Sequence, residues 1–240
     1  MRSNYIFDQF HTKGYYIFKN RLPVLNVKKV EKSFFSTYSK VLGCDVNKKN
    51  YSKIIFNFEK LKKFDELYFA LKKFSSSKEL LNFSKFFNKI LTNIFKKNFK
   101  LINAGMAIGM NNSSRIAYNW HQEKPYYINK KTIHFQFPLL RPCNKKNGTM
   151  SVLSGSNKEG YICSTKNIKR SQKSVNSFVP KDIKKYKKKY REFFINMKKK
   201  DFVVFHENVI HRTNKNISPN TRLACIFRFE GDYGFNIKKS

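Results

Sequence analysis

Two stretches of the chain carry residues whose types and spacing suit redox-metal chemistry. The first is Tyr118-Asn119-Trp120-His121-Gln122-Glu123. In an extended segment alternate side chains share a face, so His121 and Glu123 point the same way. An imidazole beside a carboxylate supplies two of the three ligands of a 2-His-1-carboxylate iron site, and such a site needs a distant second histidine. The second stretch, Phe205-His206-Glu207-Asn208-Val209-Ile210-His211-Arg212-Thr213, offers one. His206-Glu207 followed by His211 imitates a zinc-protease helix, but the second histidine stands five positions after the first instead of four. On a helix those imidazoles would diverge. The apolar Phe202–Phe205 run reads as strand, which leaves His211 as the ligand candidate and gives His206 a structural role. Arg222 opens the next strand, where a guanidinium can grip a carboxylate with two parallel hydrogen bonds. Arg228 shares a face with Arg222 and reads as a marker of the far end of that strand.

Helices come first in the chain and strands follow. Gly14-Tyr15-Tyr16-Ile17-Phe18-Lys19 reads as a short strand after a turn. Val30, Phe34, Tyr38 and Leu42 recur at helical spacing up to Gly43, a C-cap. Leu61, Phe64, Tyr68 and Leu71 suggest a second helix. Ser76 and Glu79 form a capping box for a third, whose apolar stripe is Leu80, Phe83, Phe87, Ile90, Leu91 and Ile94. Residues 1–100 are therefore mostly helical. From 101 to 240 come short runs with strand character: Ala107–Met110, Ile116–Trp120, Thr132–Leu139, a pair at Phe193–Met197 and Phe202–Phe205, and Leu223–Phe229. Turn signals at Asn111–Ser114, Lys124-Pro125, Asn147-Gly148 and Gly155-Ser156 separate them. Such a series predicts a β-sandwich or barrel with the helices on one face, within a single domain 1–240. The Ser/Asn/Lys-rich segment 164–191 reads as a solvated insertion with lid potential.

Lys and Arg number 50 against 15 Asp and Glu, giving a net charge of +35 over 240 residues. A nucleic-acid or anionic-membrane partner is one reading of that excess. Lys is spread over nearly every segment, however, where a phosphate-tracking surface would concentrate it, so compositional drift is the favoured reading. Cys44, Cys143, Cys163 and Cys225 form no C-x-x-C pair, which points away from a zinc ribbon or a disulfide framework. The N-terminus mixes Asp8, Gln9 and His11 among its aromatics, unlike a signal peptide, and no apolar run approaches the ~20 residues of a membrane span. A cytoplasmic protein is expected.

His121-Gln122-Glu123, the turn segment Asn147-Gly148-Thr149-Met150-Ser151-Val152-Leu153-Ser154-Gly155-Ser156 and the Phe205–Arg222 segment occur in an order that resembles the phytanoyl-CoA dioxygenase family, with Gly14–Lys19 echoing its N-terminal strand. The resemblance implies a double-stranded β-helix (a jelly roll) that binds Fe(II) and 2-oxoglutarate. It further implies hydroxylation of a small or carrier-bound metabolite with O2, releasing succinate and CO2. By motif match His121, Glu123 and His211 are the metal ligands, and Arg222 pairs with the distal carboxylate of 2-oxoglutarate. Thr213 helps hold that carboxylate, while Gln122 and Gln136 line the co-substrate pocket. Two departures stand out. Glu123 occupies a position that is usually Asp; the longer side chain keeps the charge and argues against a halogenase, where a small residue opens a halide site. Asn157 follows Ser154-Gly155-Ser156 where the family often has His. The alternative is a same-fold protein that acts on or binds a macromolecule through its basic surface.

Overall fold

The computed structural model describes residues 3–113, 118–166 and 178–234. Six helices and ten strands are found among them: α1 (Ser3–Lys13), β1 (Tyr15–Phe18), α2 (Val24–Leu42), α3 (Tyr51–Lys60), α4 (Phe64–Ser75), α5 (Lys78–Phe95), β2 (Lys100–Gly109), β3 (Thr132–Pro138), β4 (Met150–Leu153), β5 (Ser164–Lys166), β6 (Phe178–Pro180), α6 (Ile183–Lys189), β7 (Glu192–Phe194), β8 (Phe202–His206), β9 (His211–Thr213) and β10 (Arg222–Glu230). A five-stranded antiparallel sheet in the order β1-β8-β3-β10-β2 faces a three-stranded sheet, β7-β4-β9. This is the jelly-roll arrangement, with helices covering the outer face of the larger sheet.

Alternation along the strands divides the interior in two. Ile133, Phe135, Phe137, Phe202, Val204, Leu223, Cys225, Phe227 and Phe229 face the helices in one large core. Phe87 of α5 is its hub, with its ring centroid 4.6 Å from that of Phe135, 5.0 Å from Phe227 and 5.3 Å from Phe202. The opposite face of the sheet presents Val203, Phe205 and Ala224 to Met150, Val152, Ile195 and Met197. On that inner face β2 and β10 pair Asn103 with Arg228, Gly105 with Ile226, Ala107 with Ala224 and Gly109 with Arg222. Apart from Ile226 the two strands carry small side chains between the two arginines, and Gly105, Ala107, Ile226 and Arg228 remain partly solvent-exposed. That face is therefore least covered toward its Arg228 end.

The α2 stripe is buried as expected through Val30, Phe34 and Tyr38, and Gly43 caps it at φ 65°. Several expectations need correction. The helix expected around Leu61–Leu71 is α4, which starts only at Phe64, because Leu61 caps the end of α3; α4 turns Leu67, Ala70 and Phe74 inward while Leu61 and Tyr68 are exposed. Apolar residues lie on both sides of α4, so spacing alone does not choose its buried face. The cap of α5 is Ser77, whose hydroxyl accepts from the Leu80 amide; Ser76 closes α4 by bonding back to Lys72 and Lys73. α1 had no expected counterpart, yet it buries Ile6 and Phe10 one turn apart. Phe193–Met197 and Phe202–Phe205 do not pair with each other, because β7 joins β4 and β8 lies between β1 and β3. The chain crosses between sheets there, so Ile195 and Met197 meet Val203 and Phe205 across the inner core, while Phe202 and Val204 face the helices. Of the expected Ile116–Trp120 strand, residues 116–117 lie outside the described residues, and Tyr118–Trp120 is not strand. In segment 164–191, of which residues 167–177 lie outside the described residues, β5 pairs with β6, and Ile183, Tyr186 and Tyr190 pack against Trp120, Leu153, Ile162 and Ile210. No described helix is long and apolar enough to cross a membrane.

Candidate metal centre

The two histidines are brought together by the backbone. His121 N donates to His211 O and His211 N donates to His121 O, both at 2.9 Å, so the residues sit directly opposite in an antiparallel bridge. Their rings lie 4.2 Å apart. Two residues on, the Glu123 amide donates to Glu207 O at 2.9 Å, fixing the carboxylate's origin. Glu207 is itself locked, accepting from the Thr132 amide at 2.8 Å and the Thr132 hydroxyl at 3.0 Å. Glu123 Oε1 lies 3.9 Å from His121 Nε2 and 3.6 Å from His211 Nε2. One ligand atom from each of the three residues falls within 4.8 Å of the others, and all three residues are buried.

The ring orientation suits a metal. His121 Nδ1 lies 2.7 Å from Asn119 O, and His211 Nδ1 lies 3.0 Å from Val209 O. A carbonyl can only accept, so Nδ1 carries a proton in each ring and Nε2 is the nitrogen turned toward Glu123. Burial, with His211 alongside, pulls the His121 imidazole down to about 3, which keeps it neutral. Burial alone would raise the Glu123 carboxyl. Arg228, His134 and His211 outweigh it and hold the group well below the usual carboxylate range. Two imidazole Nε2 atoms and an ionised carboxylate oxygen form the donor set of a divalent metal site.

Glu123 divides its two oxygens between different neighbours. Oε1 faces the histidines. Oε2 accepts from Arg228 Nε at 3.3 Å and lies 3.9 Å from His134 Nδ1. Arg228 is anchored from behind, its Nη1 donating to Asn103 Oδ1 at 3.0 Å. His134 bonds to Thr132 Oγ1 through Nε2 at 3.0 Å, and burial lowers it to about 3. Arg228 is thus no mere marker of a strand end. Its proximity to Glu123 depends on how β10 lies against the His121–Glu123 segment, which no local spacing reveals.

Arg222 lies at the opposite end of the inner face of β10 and is only 2% exposed. Its Nε has no hydrogen-bond partner; the neighbouring Cys143 thiol is a contact, and no carboxylate pairs with it among the described residues. Gly109 makes room for it, since a β-carbon there would lie 3.1 Å from Arg222 Nε and Nη2. A buried guanidinium lacking an anion fits a ligand that supplies a carboxylate. Gln136 sits on the inner face of β3, in step with His134. Thr213 shares the face of β9 that carries His211. Gln122 does not join them. It alternates to the other side, where Nε2 donates to Gly160 O and Asn208 O at 2.8 and 2.7 Å and Oε1 accepts from the Ile162 amide at 3.0 Å. It braces three backbone segments, which takes it out of the co-substrate pocket. His206 accepts from the Asn208 amide and packs against Phe10 and Tyr233, a structural role.

The family model for phytanoyl-CoA dioxygenase matches residues 78–224, from α5 to the start of β10, and so takes in the histidines, Glu123 and Arg222. The chain belongs to the phytanoyl-CoA dioxygenase family. As a member of it, the protein is a 2-oxoglutarate-dependent oxygenase that uses Fe(II) and 2-oxoglutarate. No curated protein sequence matches it. Solved structures share its fold at low identity. The apo form of EctD from S. alaskensis is 10% identical with a TM-score of 0.62, over 93% of this chain and 75% of that one. SnoK, a non-heme alpha-ketoglutarate-dependent carbocyclase from nogalamycin biosynthesis, is 10% identical with a TM-score of 0.61, over 98% and 88%. AviO1 from Streptomyces viridochromogenes Tue57 is 9% identical with a TM-score of 0.57, over 95% and 94%. EctD is also known with bound Fe and with 2-oxoglutarate and 5-hydroxyectoine. At these identities the likeness concerns the fold, and this family member's substrate is set by its own residues.

Proposed function

We propose that this dioxygenase hydroxylates a small metabolite, free or carrier-bound, in the cytoplasm, with all 240 residues working as one unit. In this reading His121, Glu123 and His211 hold Fe(II), and Arg222 pairs with the distal carboxylate of 2-oxoglutarate, with Thr213 and Gln136 beside it. The observation that carries the assignment is the pairing of a His-Glu-His donor set with a buried arginine that lacks an acidic partner among the described residues, on the same inner face of the larger sheet. Fe(II) with 2-oxoglutarate supplies O2 activation, coupling loss of CO2 and formation of succinate to oxidation of a C–H bond.

The chain's own residues do the rest. Backbone carbonyls hold Nδ1 of both imidazoles as the donor, which leaves Nε2 as the atom each ring turns toward a metal. The small side chains of Gly105, Ala107, Gly109 and Ala224 leave room along the inner face between Glu123 and Arg222. At the mouth, the Tyr126 ring stands edge-on to His121 at 6.3 Å, and Phe178 of β6 packs on Tyr126 at 5.3 Å. These aromatics would flank a substrate and exclude water from it. Exposed Cys44 and Cys163, both free thiols, suit a reducing compartment.

Purified protein given Fe(II) and 2-oxoglutarate should release succinate slowly without any substrate. His211→Ala and Glu123→Ala should each abolish that turnover. Undiminished succinate release in both variants would remove the site assignment. A screen of candidate metabolites for stimulated succinate release then identifies the substrate.

A further inference from the structure

The position of Glu123 raises a mechanical question. A glutamate has one more methylene than an aspartate, hence a further rotatable bond and more ways to turn away from the histidines. What fixes it is visible at its second oxygen. Arg228 Nε donates to Oε2 at 3.3 Å, and Arg228 is itself tied to Asn103 through Nη1. Asn103 and Arg228 are direct partners across β2 and β10, so the arginine's origin is set by the sheet. His134 approaches the same oxygen from β3 with an Nδ1 that has no hydrogen-bond partner. The surroundings of Oε2 are therefore cationic or neutral, and Oε1 is left facing the two Nε2 atoms.

We propose that Arg228 is the positioning residue that makes a glutamate serve as the carboxylate ligand, holding Oε2 so that Oε1 stays aimed between His121 and His211. Asn103 acts through Arg228, preventing the long side chain from swinging across the inner face. This inference rests on the triad reading above and goes beyond it by tying the choice of Glu to an arginine six residues along β10 from the one assigned to 2-oxoglutarate. Arg222 and Arg228 then divide the inner face. One end binds the co-substrate anion and the other orients the metal ligand.

The test is metal binding by the full chain, with Co(II) alone as an air-stable probe, followed by calorimetry and by the visible spectrum of the bound ion. Arg228→Met should weaken Co(II) binding by about 10- to 100-fold, the usual effect of losing the partner that orients a ligand. Arg228→Lys keeps the charge but not the planar fork, and should recover part of that loss. Asn103→Ala lies on an exposed position and should weaken binding less, in the same direction, with a shifted Co(II) spectrum. In a Glu123→Asp background the carboxylate is shorter by about 1.5 Å and no longer spans to Arg228. Adding Arg228→Met there should cost less than about threefold, a non-additivity that a merely structural arginine would not produce. Wild-type Co(II) affinity and spectrum in both Arg228→Lys and Asn103→Ala, or full additivity with Glu123→Asp, overturns the proposal. His211→Ala is the separate control: if it binds Co(II) as tightly as the wild type, the triad reading itself fails. Loss in His211→Ala without loss in any Arg228 or Asn103 variant defeats only the role given to Arg228.

Discussion

Replacing Arg222 by Met should change stability and co-substrate binding in opposite directions. In the free protein the guanidinium is 2% exposed and its Nε has no partner. An unsatisfied buried polar group costs about 1–3 kcal/mol, and Met removes the charge while filling much of the same length. For a chain of this size each kcal/mol moves Tm by about 2–4 °C, so the variant should melt a few degrees above the wild type. The 2-oxoglutarate requirement should move the other way. Two charge-assisted hydrogen bonds to one carboxylate, at about 1.5–3 kcal/mol each, set a loss of about 3 kcal/mol or more. At 1.4 kcal/mol per decade that is a rise of at least about 100-fold in the 2-oxoglutarate concentration for half-maximal succinate release. A third readout closes the argument. In the presence of Co(II), saturating 2-oxoglutarate at 100 times its dissociation constant should stabilise the wild type by about 2.7 kcal/mol and leave the variant almost unmoved. The assays are thermal unfolding with and without the diacid, and succinate release against its concentration. A variant that melts lower than the wild type and still responds to 2-oxoglutarate within threefold refutes the reasoning, because Arg222 would then have a structural partner of its own.

The same contacts lead to other outcomes. Gln122→Ala removes three hydrogen bonds to backbone groups in a fully buried place, so it should lower stability by about 2–4 kcal/mol in denaturant unfolding while the folded fraction keeps the wild-type 2-oxoglutarate requirement. A raised requirement would return Gln122 to the pocket. Gly109→Val places a branched side chain against the Arg222 guanidinium, and should raise the 2-oxoglutarate requirement with little change in Co(II) affinity. Equal effects on both ligands would contradict the division of the inner face. The metal-free protein should lose stability in mild acid. His121, His134 and His206 each titrate near 3 in the fold because they are buried, against about 6.5 when unfolded. The unfolded chain then binds more protons between those values, so stability falls as pH drops below about 6.5, at up to about 1.4 kcal/mol per pH unit for each histidine. Urea midpoints from pH 8 to pH 5 measure this, and His206→Phe should flatten the slope by roughly a third.

Much of the centre was legible before any tertiary contact was known, because its elements are local. Period-2 spacing puts His121 and Glu123 on one face, the five-residue gap between His206 and His211 breaks a helical motif, and Arg222 opens an apolar strand. Those features set the order of motifs, and the order indicated the family and the jelly roll. The helical stripes of α2 and α5 were equally readable, since each has a single apolar face with polar residues opposite. Where two faces competed, as in α4, or where a serine pair offered two caps, sequence alone chose wrongly; the decision belonged to packing against the sheet.

The tertiary structure decided what the sequence leaves undetermined: which of two similar side chains reaches which partner. Gln122 and Gln136 are alike in type and both lie near the candidate ligands, yet one is spent on backbone groups of distant loops and the other sits on the inner face of β3. Arg222 and Arg228 share a face of one strand, yet only Arg228 meets Glu123. These outcomes depend on where strands from opposite halves of the chain come to rest, and hydrogen-bond geometry across more than a hundred residues is not encoded in local spacing. Residue types along the chain determined that a metal and an anion could be held here, and the packing of the two sheets determined by which atoms.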